Sequence, residues 1–379
     1  MPIYLDSAGG APWHPAAREA ATKALAAFGD PSSAHAPGRE ARAIIERARE
    51  QVAAAIGAEP DEIVFTGGAP QANALAIAGV VGRSSTSEPN GGRIVTTMLE
   101  HPSVTAAAAS TGREVVQVPC DEYGRADTDA AAALLPGAAM AAIQHANQDV
   151  GTINPVAECA SLARAHGARL HTDASQTAAV LPVDARALGV DLMTIAGGPA
   201  GAGRGIAALF VRRGLSPDPF LHAGGSHRQA PMEANLVGAA ALGAALQALA
   251  PEIPDLAARL WTLSGRLRDG LAAASADLRM LGHPTQRLPH IVSWAVEGID
   301  AETLLMSLED RGIVAGTAST SALVRAGLAR PGDAVVRMSV SRDTTENDVS
   351  TVIDAVPSIV GGLRAMAVRA DAAFARFED

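Results

Sequence analysis

A chain of 379 residues, 48% of them hydrophobic and 18% charged, is too long for one compact core and too apolar to be disordered, so a large domain with a smaller one packed against it is expected. A formal charge of −10 disfavours nucleic acid and anionic membrane surfaces, both of which require a positive field, and leaves small molecules or proteins as partners. The start, MPIYLDSAGGAP, has no basic stretch followed by an apolar core, and no later stretch reaches about eighteen uninterrupted apolar residues; no membrane segment and a cytoplasmic location are expected.

In chain order, residues 15–28 and 38–56 read as amphipathic helices, the second with Ile44, Ile45, Ala48, Val52 and Ile56 on one face and Gly57 as its stop. Short apolar runs follow at 62–66, 93–97, 114–118, 139–143, 168–172, 191–195 and 206–211, separated through residue 167 by Ala-rich helical stretches. This alternation predicts a mostly parallel sheet covered by helices on both faces, in which ligands bind beyond the carboxyl ends of the strands. Those ends carry Gly67-Gly68-Ala69-Pro70, then Glu100-His101-Pro102, then His145-Ala146-Asn147, then Asp173 with Gln176. Near residue 251 the pattern changes to a long helix (255–275), strand candidates at 290–296 and 335–340, and a final helical stretch broken around Pro357. The large domain is therefore expected over 15–250, and the small one over 251–379 together with 1–14.

Cys120 and Cys159, the two cysteines, fit no disulfide or C-x-x-C pattern and read as inert thiols. Lys23 is the single lysine among 30 basic residues, which limits any chemistry that needs a primary amine.

The motifs YLDSAGGAP, DPSSAHAPGREAR, EPDEIVFTGGAPQAN, LEHPSV, HANQDVGTINPV, HTDASQ, GVDLMTIAGGPAGAGRGIAALFVRRG, LHAGG and VVRMSVSRDTTENDV, in this order, resemble the cysteine desulfurases of the class V aminotransferase group. The resemblance implies an α/β fold type I pyridoxal phosphate-dependent transferase, whose mostly parallel sheet is sandwiched by helices and followed by a smaller C-terminal α+β domain. It implies a dimer, either of identical chains or with an active paralogue. It further implies that His101 stacks on the coenzyme ring, that Asp173 pairs with the ring nitrogen, that Gln176 and Asn147 lie near the ring hydroxyl and Gly68 near the phosphate, and that Arg337 binds an amino-acid carboxylate. Other uses stay open: His101 could cap the helix starting at Pro102, Asn147 and Asp173 could serve loop backbone, and Arg337 or Arg342 could form an ion pair.

The resemblance also exposes losses. The family's Schiff-base lysine falls on Pro199, with Ala196 and Gly198 where its serine and histidine would stand, and the persulfide cysteine falls on Ser319 in Gly316-Thr317-Ala318-Ser319. The phosphate-binding threonine falls on Pro70, which has neither hydroxyl nor N–H. Ser226 through Glu233 replace a stretch that brings an arginine and a threonine to the neighbouring subunit's site. GGPAGAGRG (197–205) reads only weakly as a replacement phosphate nest with Arg204 as its cation, because the loop runs between two strands. A pseudoenzyme without covalent coenzyme is expected, with a repurposed enzyme acting on an amino-acid-like ligand as the alternative.

Overall fold

The computed structural model describes residues 2–82, 92–218 and 235–374. The elements through the first half are β1 (Ile3–Leu5), α1 (Pro15–Ala24), α2 (Ala36–Ala55), β2 (Ile63–Thr66), α3 (Ala69–Val81), β3 (Arg93–Thr97), α4 (Pro102–Ser110), β4 (Val115–Val118), α5 (Thr128–Leu134), β5 (Ala138–Ala142), α6 (Val156–Ala165), β6 (Arg169–Asp173), α7 (Ala185–Leu188), β7 (Leu192–Ala196) and β8 (Ala207–Val211). The remainder is α8 (Leu236–Ala274), β9 (Arg279–Leu281), β10 (Ile291–Glu297), α9 (Ala301–Glu309), β11 (Ile313–Thr317), α10 (Thr320–Arg325), β12 (Asp333–Ser339) and α11 (Glu346–Phe374).

Seven strands form one sheet in the order β2-β8-β7-β6-β5-β3-β4, parallel except at β8, which runs antiparallel to both β2 and β7. The central strands are buried on both faces, so they read as continuous apolar runs. Helix α3 is apolar all round, and it sits inside the molecule against β7, β8 and α4. One polar side chain, Asn73, lies fully buried within that helix.

Five strands form the second sheet, in the order β1-β11-β12-β10-β9. The N-terminal strand β1 runs parallel to β11, pairing Ile3 with Ile313 and Leu5 with Ala315, and Asp6 bridges to Ser339. Fully buried Trp294 on β10 anchors this second core, together with leucines of α8 and valines of α11.

Two helices depart from the sequence expectation. The helix expected over 255–275 begins at Leu236 and passes through Pro251 and Pro254, and α11 continues through Pro357. In each case burial of an apolar face on both sides of the proline outweighs the lost backbone hydrogen bond. Helix α8 packs on α1 and α2 at one end and on α11, β9 and β10 at the other. A side chain at Gly243 would press within 2.9 Å of the Ala48 Cα, so this glycine sets the close approach of α8 to α2. By length and composition α8 could cross a membrane, yet 56% of its most apolar window is buried inside the protein, as for a core helix. β1, β9 and β11 are short strands that apolar patterning does not single out.

Candidate active site

The carboxyl ends of the parallel strands bring most of the expected residues to one rim of the large sheet. Asp173 closes β6; its Oδ2 accepts from Asn73 Nδ2 at 2.9 Å and its Oδ1 from the Ser175 N–H at 3.0 Å. The other Asn73 amide proton reaches Ser103 Oγ at 2.9 Å, and Ser103 Oγ lies 2.7 Å from His101 Nδ1. The Ser103 N–H also donates to that nitrogen at 3.1 Å, so His101 caps α4. With Nδ1 accepting, the ring proton resides on Nε2 in the neutral form. His101, Ser103, Asn73 and Asp173 thus form one hydrogen-bonded chain. Its two middle members were not anticipated; a lone Asn inside the otherwise apolar run ANALAIA (72–78) was the available signal.

Buried acids and histidines surround this chain. Glu100 accepts from the Thr97 hydroxyl at 2.8 Å and the Gln144 N–H at 2.7 Å; burial pushes its carboxyl up to about 8, against the pull of those bonds. Glu100 is therefore mostly protonated at neutral pH. His145, within 3.0 Å of the Thr177 hydroxyl, is lowered by burial to about 4. His171, on β6 beside Thr194, is likewise lowered by burial. Both rings are neutral.

Other expected residues are committed to the fold. Asn147 is fully buried; its carbonyl oxygen accepts from the Asp149 and Val150 N–H groups at 2.9 and 2.8 Å, and its amide donates to Leu99 O at 3.1 Å. Gln176 donates to Ala8 O at 3.0 Å. Arg337 donates to Asp6 Oδ1 at 2.7 Å and to Gln148 O at 3.3 Å, with Asp149 3.9 Å away. Asp6 fits there because a Cβ at Gly316 would stand 2.4 Å from its Oδ1, and one at Gly9 would stand 2.6 Å from its Oδ2. Arg342 donates to Glu252 at 2.8 Å. Burial raises the Asp149 carboxyl, while the Ser319 N–H, Arg337 and His101 pull it down. Ser319 is exposed, its hydroxyl making no capping bond to α10.

The coenzyme expected from the resemblance does not fit as a lysine-held group. Pro199 sits in the turn after β7, where Gly198 O accepts from Ala11 N at 3.1 Å and Gly201 O from His14 N at 2.8 Å. Lys23 lies on an exposed face of α1 with its amine 2.6 Å from Glu19. At the expected phosphate turn, Gly67 N is taken by the Gln71 side chain at 2.6 Å, Pro70 has no N–H, and the Gln71 and Ala72 amides are turned inward to Gly68 O. Only the Gly68 and Ala69 amides are left without a partner among the described residues. The loop 197–205 forms no nest around Arg204, whose guanidinium donates to Gly9 O at 2.9 Å. LHAGG and the segment Ser226–Glu233 lie outside the described residues.

A cavity of about 60 Å³ lies behind the turn, lined by Pro199, Gln176, His14, His290 and Arg342 among apolar residues of α8. His14 Nε2, Gln176 Oε1 and His290 Nδ1 are buried without hydrogen-bond partners among the described residues. Cys159 is buried and its thiol pushed up to about 11, and that of Cys120 is raised as well; burial is the main cause for both, and neither thiol is activated.

Residues 3–352 match the family described as aminotransferase class-V. The chain is 33% identical to the IscS-like cysteine desulfurase of Mycobacterium tuberculosis, across 97% of this chain and 98% of that one. It is 35% identical to the cysteine desulfurase of Gluconacetobacter diazotrophicus, across 96% and 94%. The solved structure of a NifS-like protein superposes with a TM-score of 0.88 at 25% identity, covering 96% of this chain and all of that one. The fold is shared too with the apo cysteine desulfurase of Thermococcus onnurineus, with a TM-score of 0.84 and 23% identity, across 96% and 95% of the two chains.

Proposed function

The chain belongs to the aminotransferase class-V family, with cysteine desulfurases as its relatives, and from that premise we propose that it is a pseudoenzyme of the desulfurase type. It binds rather than desulfurates, as a homodimer or paired with an active paralogue in the cytoplasm. The observation that carries this reading is that the single lysine, Lys23, is exposed on α1 beside Glu19, while the resemblance puts Pro199 at the family's lysine position. Covalent attachment of the coenzyme needs a primary amine, and desulfuration then needs a thiol to take the sulfur; Ser319 offers a hydroxyl. The weakened phosphate turn acts in the same direction, since charge-assisted hydrogen bonds contribute about 1.5–3 kcal/mol each.

Purified protein incubated with pyridoxal phosphate and then borohydride is expected to carry no fixed label at the cleft, and to release no sulfide from free cysteine above the protein-free rate. A label mapped to the rim of the large sheet, or enzymatic sulfide release, would overturn the reading.

One observation favours a second reading. The chain His101–Ser103–Asn73–Asp173 is intact, and it would serve a repurposed enzyme that holds an amino-acid-like ligand, with pyridoxal phosphate bound non-covalently or absent. A ligand at 100 times its dissociation constant would add about 2.7 kcal/mol of stability. Thermal unfolding that is unmoved by coenzyme, its amine form and a panel of amino acids removes this alternative.

A further inference from the structure

The amino ends of the parallel strands, on the rim opposite His101 and Asp173, hold a second cavity that the desulfurase resemblance does not use. It measures about 390 Å³ and is lined by Arg164, Arg186 and Arg212 against one acid, Glu62, with Phe210 and Leu188 among its apolar residues. In a chain of net charge −10, such a lining is a local reversal of sign.

The arginines are held in place by the fold. Arg164 Nη2 and Arg212 Nη2 donate to the same Gly189 carbonyl at 2.7 and 2.8 Å, and Arg212 also donates to Val190 O at 2.8 Å. Gly189 has φ 69°, and a Cβ there would stand 2.9 Å from Arg164 Nη2, so the glycine is needed for the approach. Two guanidinium groups converging on one neutral oxygen repel each other. The acid closest to hand, Asp191, is shared between Arg212 at 3.3 Å and Arg169 at 3.8 Å. Arg186 is matched by Glu59 at 3.0 Å and Glu62 at 3.8 Å. Arg164 makes no ion pair among the described residues.

We infer that this cavity is a binding site for a small phosphate monoester. Arginines from three segments, Arg164 on α6, Arg186 on α7 and Arg212 after β8, can offer N–H donors to several oxygens of a tetrahedral oxyanion, whereas one fork satisfies a planar carboxylate. The volume exceeds that of inorganic phosphate and lies within the range of small-ligand pockets, leaving the apolar part of the lining for the organic group of the ester. The strand β6 connects the two rims: Arg169, which touches Asp191, begins it, and Asp173 ends it.

Calorimetric titration of the full chain with phenyl phosphate, at ionic strength fixed with sodium chloride, tests this. Saturable one-site binding is expected, weaker with inorganic phosphate, reduced at least 10-fold in Arg164→Gln and partly retained in Arg164→Lys. Arg164 has no acid to orphan, so both variants should fold, which circular dichroism checks. Absence of saturable binding to the unaltered chain, equal affinity in Arg164→Gln, or heat reproduced by sodium chloride alone would overturn the assignment.

Discussion

Within the candidate active site, the residues that match the desulfurase pattern and the residues that depart from it differ in what else they do. His101 caps a helix, Asn147 holds loop amides, Gln176 ties down the Ala8 carbonyl, and Arg337 joins Asp6 of the N-terminal strand to the small sheet. Positions 70, 198, 199 and 319 offer no side chain that makes a comparable hydrogen-bonded tie among the described residues. Pro70 stands in the first turn of α3, Pro199 sits in the turn after β7, Ser319 is exposed, and a Cβ at Gly198 would meet nothing within 4 Å. On the proposed reading, residues with a structural duty have been kept and those that would serve a ligand alone have been lost. A matching residue is therefore weak support for surviving chemistry unless its side chain is free to act.

That contrast can be broken by experiment, beginning with the largest effect. Pro199→Lys supplies the missing amine beside open space at Gly198 and should convert a chain that is not labelled by coenzyme and borohydride into one that is, read by peptide mass. Failure of this variant to be labelled while folded would place the defect in the phosphate turn instead. Next, Arg337→Ala should cost about 3–5 kcal/mol in urea unfolding, because it leaves Asp6 and buried Asp149 facing each other without a cation. An effect below about 1 kcal/mol would mean that Arg337 is not a structural tie. Asn73→Ala should cost about 1–3 kcal/mol, since it strips donors from Asp173 and Ser103 inside the core.

The pH dependence of stability sharpens the same point. His145 and His290, lowered by burial to about 4 and about 3, and His171, lowered as well, stay neutral in the fold, whereas in the unfolded chain they take up protons near 6.5. Stability should therefore fall as pH drops from about 6.5 towards 4, by about 1.4 kcal/mol per pH unit for each histidine at most. Glu100 works in the other direction: raised to about 8, it keeps its proton in the fold after the unfolded chain has released it near 4.5, so stability declines as pH rises towards 8. Where the windows overlap the three histidines outweigh Glu100, so urea midpoints should peak at about pH 6.5–7, and Glu100→Gln should flatten the decline above that. The smallest effect belongs to Lys23→Met, whose urea midpoint should match that of the unaltered chain, since its pair with Glu19 is exposed.

The seven strands of the large sheet were legible because buried parallel strands write themselves as apolar runs, and each observed strand lies within a residue or so of its run. The extent of α8 was not legible, because proline suggests an end and only tertiary burial tells otherwise. In the site, residue types gave the rim positions of His101 and Asp173. The Asn73–Ser103 link and the Asp6–Arg337 pair join residues far apart in the chain, and no local pattern encodes such contacts.

The parallel pairing of β1 with β11 also bears on how the polypeptide assembles. The stretch Ile3–Leu5 is made about three hundred residues before its partner Ile313–Thr317 and the Arg337 that clasps Asp6. Closing so long a loop carries a heavy entropic penalty until the rest is folded. Ile3–Leu5 must then wait, unpaired, until β11 has been made and folded, so its docking is a late step in maturation.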